Sequence, residues 1–448
     1  MARIAQALIL SLLILPPFAT GTATPTDDRP NVLIIMTDDQ RATGTYRVMP
    51  NTREWFMKGG TTYPKAWVTT PLCCPSRSTL FSGQYAHNHG VLTNDLAGQL
   101  DHTTTMQALL DSAGYNTAYV GRFLNGWGLR SSPPEQFDHW AAFPGNYFDK
   151  RFNIDGNLVD VPGYTTTFLG SHAIELMEDF EHEDDVPWLM YVATSAPHKP
   201  FLPEPRYEDA KVGSYSNPAI EETDLSDKAD YVSLGSRGDP KAIRRGQLRT
   251  LMSVDDLVDK VMTKLDELDE SRDTIAIFVS DNGFLWGENG LIEKRSPFTA
   301  ALQIPLMVRW PGHVPAGEVD SSNVSMVDIA PTLYEATGVA TDLPLDGRSL
   351  FGPDEREEMF FEHWAESERD VPDYASLRTD TYQYTEYYEG EGRLIPTFRE
   401  YFDLVNDPWQ LENLLGNEDP LDDPSPVDIA ALQAKIQQYR DCAGTACP

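Results

Sequence analysis

Asn31-Val32-Leu33-Ile34-Ile35-Met36 runs without a break into Thr37-Asp38-Asp39. After Asn31 the run is wholly apolar. That is the pattern of a strand buried on both faces, as in a parallel sheet, and not of one with a wet side. The two carboxylates fall at its carboxyl end, where open α/β sheets gather their ligands. Two further stretches repeat the plan. Trp188–Ala193 is apolar and leads into Ser195-Ala196-Pro197-His198, and the run 275–280 ends in Asp281-Asn282. Asp38-Asp39, His198 and Asp281-Asn282 are therefore expected along one edge of one sheet.

Around these strands the pattern alternates. Residues 105–113 carry helical periodicity and stop at Gly114, after which 116–120 read as a strand. A long amphipathic helix is expected over 240–268, with Leu248, Leu251, Val254, Leu257, Val258 and Val261 on its apolar face. A strand over 304–309 and a helix over 326–337 follow. Such alternation predicts a large, mostly parallel α/β sheet sandwiched by helices. Beyond about Phe351 the texture changes to a hairpin over 374–388, a short strand at 401–404 and a closing helix over 427–439. We expect residues 24–350 to form the α/β domain and 351–448 a smaller α+β subdomain. The polar stretch 214–239 reads as a surface loop.

With 448 residues, 41% of them hydrophobic, the chain is neither a disordered tail nor a disulfide-stapled miniprotein. Lys plus Arg number 35 against 69 Asp plus Glu, a formal net charge of −34. That field repels nucleic acid and anionic lipid, so neither is an expected partner. An anionic substrate would require a local cluster of positive charge. At the N-terminus, Arg3, the largely apolar stretch 4–18 and the small residues Ala19 to Ala23 read as a signal peptide over 1–23. Its apolar run is too short to span a membrane. A secreted or periplasmic protein, free of the membrane after cleavage, is expected. Cys442 and Cys447 suit a small disulfide loop in an exported chain, whereas the adjacent Cys73 and Cys74 are too strained to bridge each other.

Asp38, Asp39, Asp281 and Asn282 make an all-oxygen ligand set, which favours Ca²⁺ or Mg²⁺ over Zn²⁺. A lone Asp-Asp often does no more than cap a turn, but two polar pairs at matched strand ends argue for a metal. In Pro71-Leu72-Cys73-Cys74-Pro75-Ser76-Arg77, Pro75 suits the first turn of a helix. Cys73 would sit just ahead of that helix, where amide hydrogens favour an anion, with Arg77 one turn further in. On these residues alone Cys73 is either a reactive thiol or a buried structural one.

Cys73-x-Pro75-Ser76-Arg77, followed by Ser78-Thr79-Leu80-Phe81-Ser82-Gly83, resembles the signature of the type I, formylglycine-dependent sulfatases. The likeness extends over nearly the whole expected mature chain. It takes in 31–39, Ser280-Asp281-Asn282-Gly283 and the segment from Asp403-Leu404 through Asp407-Pro408 to Asn413-Leu414. The double Cys, Tyr85-Ala86-His87-Asn88-His89-Gly90 and Phe123-Leu124-Asn125 are most similar to the N-acetylglucosamine-6-sulfatase and extracellular glucosamine-sulfatase branch. The resemblance implies an alkaline-phosphatase-like fold and a sulfuric ester hydrolase acting on a sulfated saccharide. It also implies that a formylglycine-generating enzyme converts Cys73 to 3-oxoalanine (formylglycine), whose hydrate is the nucleophile. Asp38, Asp39, the converted Cys73, Asp281 and Asn282 would hold Ca²⁺, with Mg²⁺ the other candidate. Arg77 would hold the hydrate, Lys294 and Arg122 the sulfate, and His198 would contact sulfate and protonate the leaving alcohol.

Two positions depart from the family pattern. Arg122 stands where Lys is usual, and Leu124-Asn125 stand where many members carry a His, so the base for sulfate elimination is unassigned. A phosphonate or phosphodiester hydrolase of the same superfamily, or a non-catalytic sulfated-glycan binder, are the competing expectations. His87 and His89 either line the site or are structural. Trp127, Trp140, Trp286 and Trp310 receive no role, and Asn323-Val324-Ser325 matches a glycosylation sequon.

Overall fold

Strand Asn31–Thr37 lies inside the large sheet, every residue buried. It pairs in parallel with Trp188–Ala193 on one side and Thr274–Ser280 on the other. The register runs from Asn31 opposite Thr274 to Thr37 opposite Ser280, so Asp38 and Asp281 leave the sheet side by side. Asn116–Arg122 follows, parallel to Trp188–Ala193. These backbones approach so closely that a Cβ on Gly121, whose φ is +139°, would lie 1.9 Å from the Ala193 carbonyl oxygen. Only glycine fits there, and it delivers Arg122 to the edge where the carboxylates emerge.

The computed structural model describes residues 29–182, 186–235, 238–353, 356–366, 371–389, 395–417 and 419–448. The expected signal peptide at 1–23 lies outside them. Among the described residues no helix is long and apolar enough to cross a membrane.

The alternation of side chains along the first strand divides the core in two. Val32, Ile34 and Met36 face a layer that includes Leu80 and Phe81 of the helix Cys73–Ser82, and Leu333 of Ile329–Thr337. Leu33 and Ile35 face the opposite layer, built on the helices Thr165–Glu181 and Pro240–Glu267. The sheet has ten strands and is mixed. Its centre is parallel, while Leu306–Arg309 runs antiparallel to Thr274–Ser280, and an antiparallel hairpin, Phe148–Ile154 with Asn157–Tyr164, closes the far edge. That hairpin carries no apolar run because much of it faces solvent.

A second, four-stranded antiparallel sheet is formed by Met359–His363, Asp373–Arg378, Tyr382–Tyr388 and Pro396–Asp403. The closing helix Pro426–Arg440 covers it through Leu432, Ile436 and Tyr439. The expected hairpin is present, and the expected strand at 401–404 is the end of a longer one. The Cys442–Cys447 disulfide is formed. The stretch 214–239 is not the plain surface loop expected. It contains the short helices Pro218–Glu221 and Asp230–Leu234, and Tyr231 and Val232 are buried. Lys228 is held there by Asp227 and by the Leu411 carbonyl of the small subdomain.

The interior position of the first strand has a measurable consequence. Ile34→Ala leaves a void in a fully buried layer and should lower stability by about 2–5 kcal/mol in denaturant unfolding. Leu158→Ala, on the exposed edge hairpin, should change it by no more than about 0.5 kcal/mol.

Candidate active site

The in-register strand ends assemble the acidic half of the site. The Asp281 amide donates to the Thr37 carbonyl (3.0 Å) and the Asp39 amide to Asp281 Oδ1 (3.1 Å). Asp39 has φ +72°, a left-handed conformation that non-glycine residues adopt rarely. One ligand atom from each of Asp38, Asp39 and Cys73 lies within 4.8 Å of the others. Asp38 and Asp281 are wholly inaccessible to solvent.

The helix Cys73–Ser82 begins at Cys73 itself, with Leu72 as its N-cap, so Cys73 is the first helical residue and not the one before it. One turn on, Arg77 is buried and bridges two carboxylates, donating from Nε to Asp281 Oδ2 (2.9 Å) and from Nη2 to Asp38 Oδ2 (3.0 Å). Its Nη1 reaches the Arg122 carbonyl, tying the helix to the neighbouring strand end. Arg122 donates from Nη1 to Asp38 and from Nη2 to Asn125 Oδ1 (3.1 Å). Lys294 Nζ pairs with Asp39 Oδ1 and lies 2.8 Å from Cys73 Sγ. His198 presents Nε2 to Asp39 Oδ2 at 3.9 Å while its Nδ1 donates to the Lys199 carbonyl (2.8 Å). The structure thus gathers every residue expected at the site. Asn125, which orients the Arg122 guanidinium, carries no assigned role in the sequence reading.

Burial and charge pull these groups in different directions. Burial works to raise the Asp38 carboxyl, but Arg122, His198, Arg77 and Lys294 hold it well below the usual carboxylate range. Burial and the neighbouring Asp38 charge push Asp281 up to about 6. Burial lowers His198 despite Asp38 and Asp39 nearby. Burial also pushes the Cys73 thiol far above its ordinary range, against the pull of Lys294. An unconverted Cys73 is therefore a poor nucleophile in this setting, because the reactive form is the thiolate.

A hard divalent cation suits the residues present. The donors are carboxylate and amide oxygens, and Asn282 Oδ1 is buried without a hydrogen-bond partner while its Nδ2 donates to Asp39 Oδ1 (2.7 Å). Cys73 points into this group of donors. Cys74 points away and accepts from the Asn125 amide (3.0 Å). His87 and His89 are structural. His87 binds the buried Glu362 carboxylate (2.9 Å) and the Cys442 carbonyl (3.1 Å), linking the two subdomains. Burial works to lower His87, but Glu362 outweighs it and raises the group. His89 lies between Thr79 Oγ1 and the Val91 amide. Trp127 and Trp140 pack with Phe123, and Trp286 lies beneath the Arg41 and Arg244 guanidiniums.

The fold and the site define an alkaline-phosphatase-like protein whose buried carboxylates and cations meet at one sheet edge. Residues 30–339 match the family described as sulfatase, and 287–438 match the N-sulphoglucosamine sulphohydrolase C-terminal family. The chain belongs to the sulfatase family. It is 31% identical over 357 residues to the extracellular sulfatase SULF-1 homolog of Drosophila melanogaster, covering 74% of this chain but only 32% of the fly protein. It is 27% identical over 493 residues to the N-acetylglucosamine-6-sulfatase of Homo sapiens, covering 94% of this chain and 86% of that one. A protein solved in complex with its substrate D-glucosamine-2-N,6-O-disulfate shares the fold with a TM-score of 0.74. It is 23% identical, and the match covers 92% of this chain and 97% of that one.

The histidine assignments predict a pH effect. Burial lowers His89 to about 3 in the folded protein, from an ordinary value of 6.5. The unfolded chain therefore binds the extra proton first. The stability from a neutral His89 is full above about pH 6.5 and is lost as pH falls toward 3, by up to about 1.4 kcal/mol per unit. His89→Gln should flatten that part of the stability–pH curve, and chemical unfolding at pH 4, 5.5 and 7 measures it.

Proposed function

We propose that this protein is an exported sulfatase that hydrolyses sulfate monoesters on sulfated sugars or glycans of the glucosamine-6-sulfate kind. Cys73, converted to formylglycine by a formylglycine-generating enzyme, supplies as its hydrate a hydroxyl nucleophile that the protonated thiol cannot replace. Asp38, Asp39, Asp281, Asn282 and the converted residue 73 would hold Ca²⁺ or Mg²⁺, which when bound would supply positive charge to a sulfate oxygen. The family match and the relatives' names support the reaction and the sugar class. The apolar leader at 1–23 and the extracellular relative support export. In this reading residues 24–350 form the catalytic domain and 351–448 the small subdomain.

The contact that carries the proposal is Lys294 Nζ at 2.8 Å from Cys73 Sγ, with the same nitrogen paired to Asp39. That proximity supports a role for the Lys294 cation beside the nucleophile and the transferring group. Arg77 and Arg122, both anchored on Asp38, complete a positive wall inside a protein of net charge −34. The three carboxylates Asp38, Asp39 and Asp281 are balanced by Arg77, Arg122 and Lys294. A bound divalent cation then leaves net positive charge for an anionic ester. Arg122 meets Asp38 with one nitrogen and Asn125 with another, which fixes the plane of its guanidinium for sulfate oxygens. His198, held by the Lys199 carbonyl, turns Nε2 toward the site and, when protonated there, can deliver a proton to the departing sugar oxygen.

The test is turnover of N-acetylglucosamine-6-sulfate and of an aryl sulfate, beside a phosphodiester. Sulfate esters should be preferred, and exhaustive chelation should abolish turnover. Faster phosphodiester cleavage would favour the superfamily's other chemistry, and no turnover of any ester by converted, metal-loaded protein would favour a glycan binder. Lys294→Ala should lower kcat/KM by orders of magnitude, because a cation meeting the reacting group in a dry site is worth several kcal/mol. Near-normal kinetics in that variant would remove Lys294 from the mechanism. Arg122→Lys should keep more activity than Arg122→Ala, since it preserves charge while losing the second anchor on Asn125.

A further inference from the structure

The residues that directly follow Cys73 and Lys294 in the chain are tied together from outside the catalytic sheet. Glu366 belongs to the segment that follows strand Met359–His363 of the small sheet. Its Oε1 accepts from the Asn94 amide (2.9 Å), and Asn94 Oδ1 in turn accepts from the Cys74 amide (3.0 Å) in the first turn of the nucleophile helix. Its Oε2 accepts from Arg295 Nε (3.2 Å) and Nη2. Arg295 directly follows Lys294, and its amide donates to the Pro71 carbonyl (3.0 Å), just before Cys73. Arg295 also has φ +85°, a left-handed conformation rarely adopted by a residue with a side chain, so something must hold it.

One carboxylate from the small subdomain therefore reaches both segments that meet at the Lys294–Cys73 contact. We propose that Glu366 is a positioning residue that sets the distance between Lys294 and residue 73, coupling the C-terminal subdomain to catalysis. The inference rests on the sulfatase reading for its kinetic consequence, though not for its structural one. The Glu366 and Arg295 side chains are 14% and 23% exposed, so the pair is shielded enough to hold geometry without itself forming part of the buried carboxylate cluster. The same edge of the small sheet is fastened nearby, where the Glu362 amide donates to the Thr69 carbonyl (2.9 Å) and its carboxylate binds His87. Glu366 extends that fastening to the reacting residues.

Glu366 can act only through loop position, and that separates it from a residue that binds substrate. Replacing it should lower kcat while leaving KM for a small aryl sulfate nearly unchanged, because misplacement of Lys294 is felt most in the transition state. Glu366→Gln keeps the acceptor for the Asn94 amide and loses the charge that holds Arg295, so its loss should be smaller than that of Glu366→Ala. Glu366→Ala and Arg295→Ala should be non-additive, with the double variant little worse than Glu366→Ala alone.

The structural readout is hydrogen–deuterium exchange on protein carrying unconverted Cys73, which needs no turnover. In Glu366→Ala, and more weakly in Glu366→Gln, the Cys74 and Arg295 amides should exchange at least tenfold faster, while amides of Asn31–Thr37 keep their protection. Unchanged exchange at Cys74 and Arg295 would overturn the proposal, even if the alanine variant folds poorly, because the glutamine variant is nearly isosteric. Additive kinetics, or a rise in KM with kcat unchanged, would also overturn it by making Glu366 a substrate contact or an unrelated residue. If the wild-type protein turns over no sulfate ester, the functional reading fails, and exchange alone decides the positioning role.

Discussion

Asp38 is the constraint around which the molecule is organised. Its carboxylate has no access to solvent and is met by two guanidiniums, Arg77 from the helix Cys73–Ser82 and Arg122 from a neighbouring strand end. A buried charge without partners would be strongly destabilising, so the helix and the strand end must stay where they are. Asp38 in turn is carried by an interior strand of the sheet, paired in register with the strand that delivers Asp281. A fully buried interior strand thus positions a fully buried charge. Lys294, His198 and the Cys73 helix are arranged around that point.

The same arrangement explains how a strongly acidic protein can approach an anionic ester. Over most of the surface the field repels such a substrate, while at one sheet edge three permanent cations are pinned by carboxylates and a histidine stands beside them. Without a metal these charges nearly cancel, and the unpartnered Asn282 oxygen with the raised Asp281 carboxyl registers what a hard cation would relieve. The small subdomain contributes more than a cover. Through His87–Glu362 and the Glu366 bridge it reaches the segments beside residue 73.

The central parallel strands were legible because apolar runs ending in carboxylates leave few other structures open, and the ligand pairs followed from where those runs stop. Signature residues around Cys73 marked the helix Cys73–Ser82 to within a single position. The antiparallel edge hairpin was not legible, since Phe148–Ile154 and Asn157–Tyr164 are largely exposed and lack a continuous buried run. Residues 214–239 were misread as loop because polar composition hid Tyr231 and Val232, which are buried by tertiary packing that no local pattern reports. Composition left His87 and His89 open, and the Glu362 carboxylate at His87 decides their structural role. Glu366 meets partners far away in the chain, Asn94 and Arg295, and no periodicity marks such a residue.

In the proposed reading the buried thiol at position 73, which holds its proton, gives way to the formylglycine hydrate as the working nucleophile. Peptide mass spectrometry of enzyme purified by its sulfatase activity tests this most directly. The account predicts an aldehyde in place of the thiol at Cys73, an unmodified thiol at Cys74, and turnover proportional to the converted fraction across preparations. Full turnover with thiols at both positions, or an aldehyde at Cys74 with Cys73 intact, would contradict it.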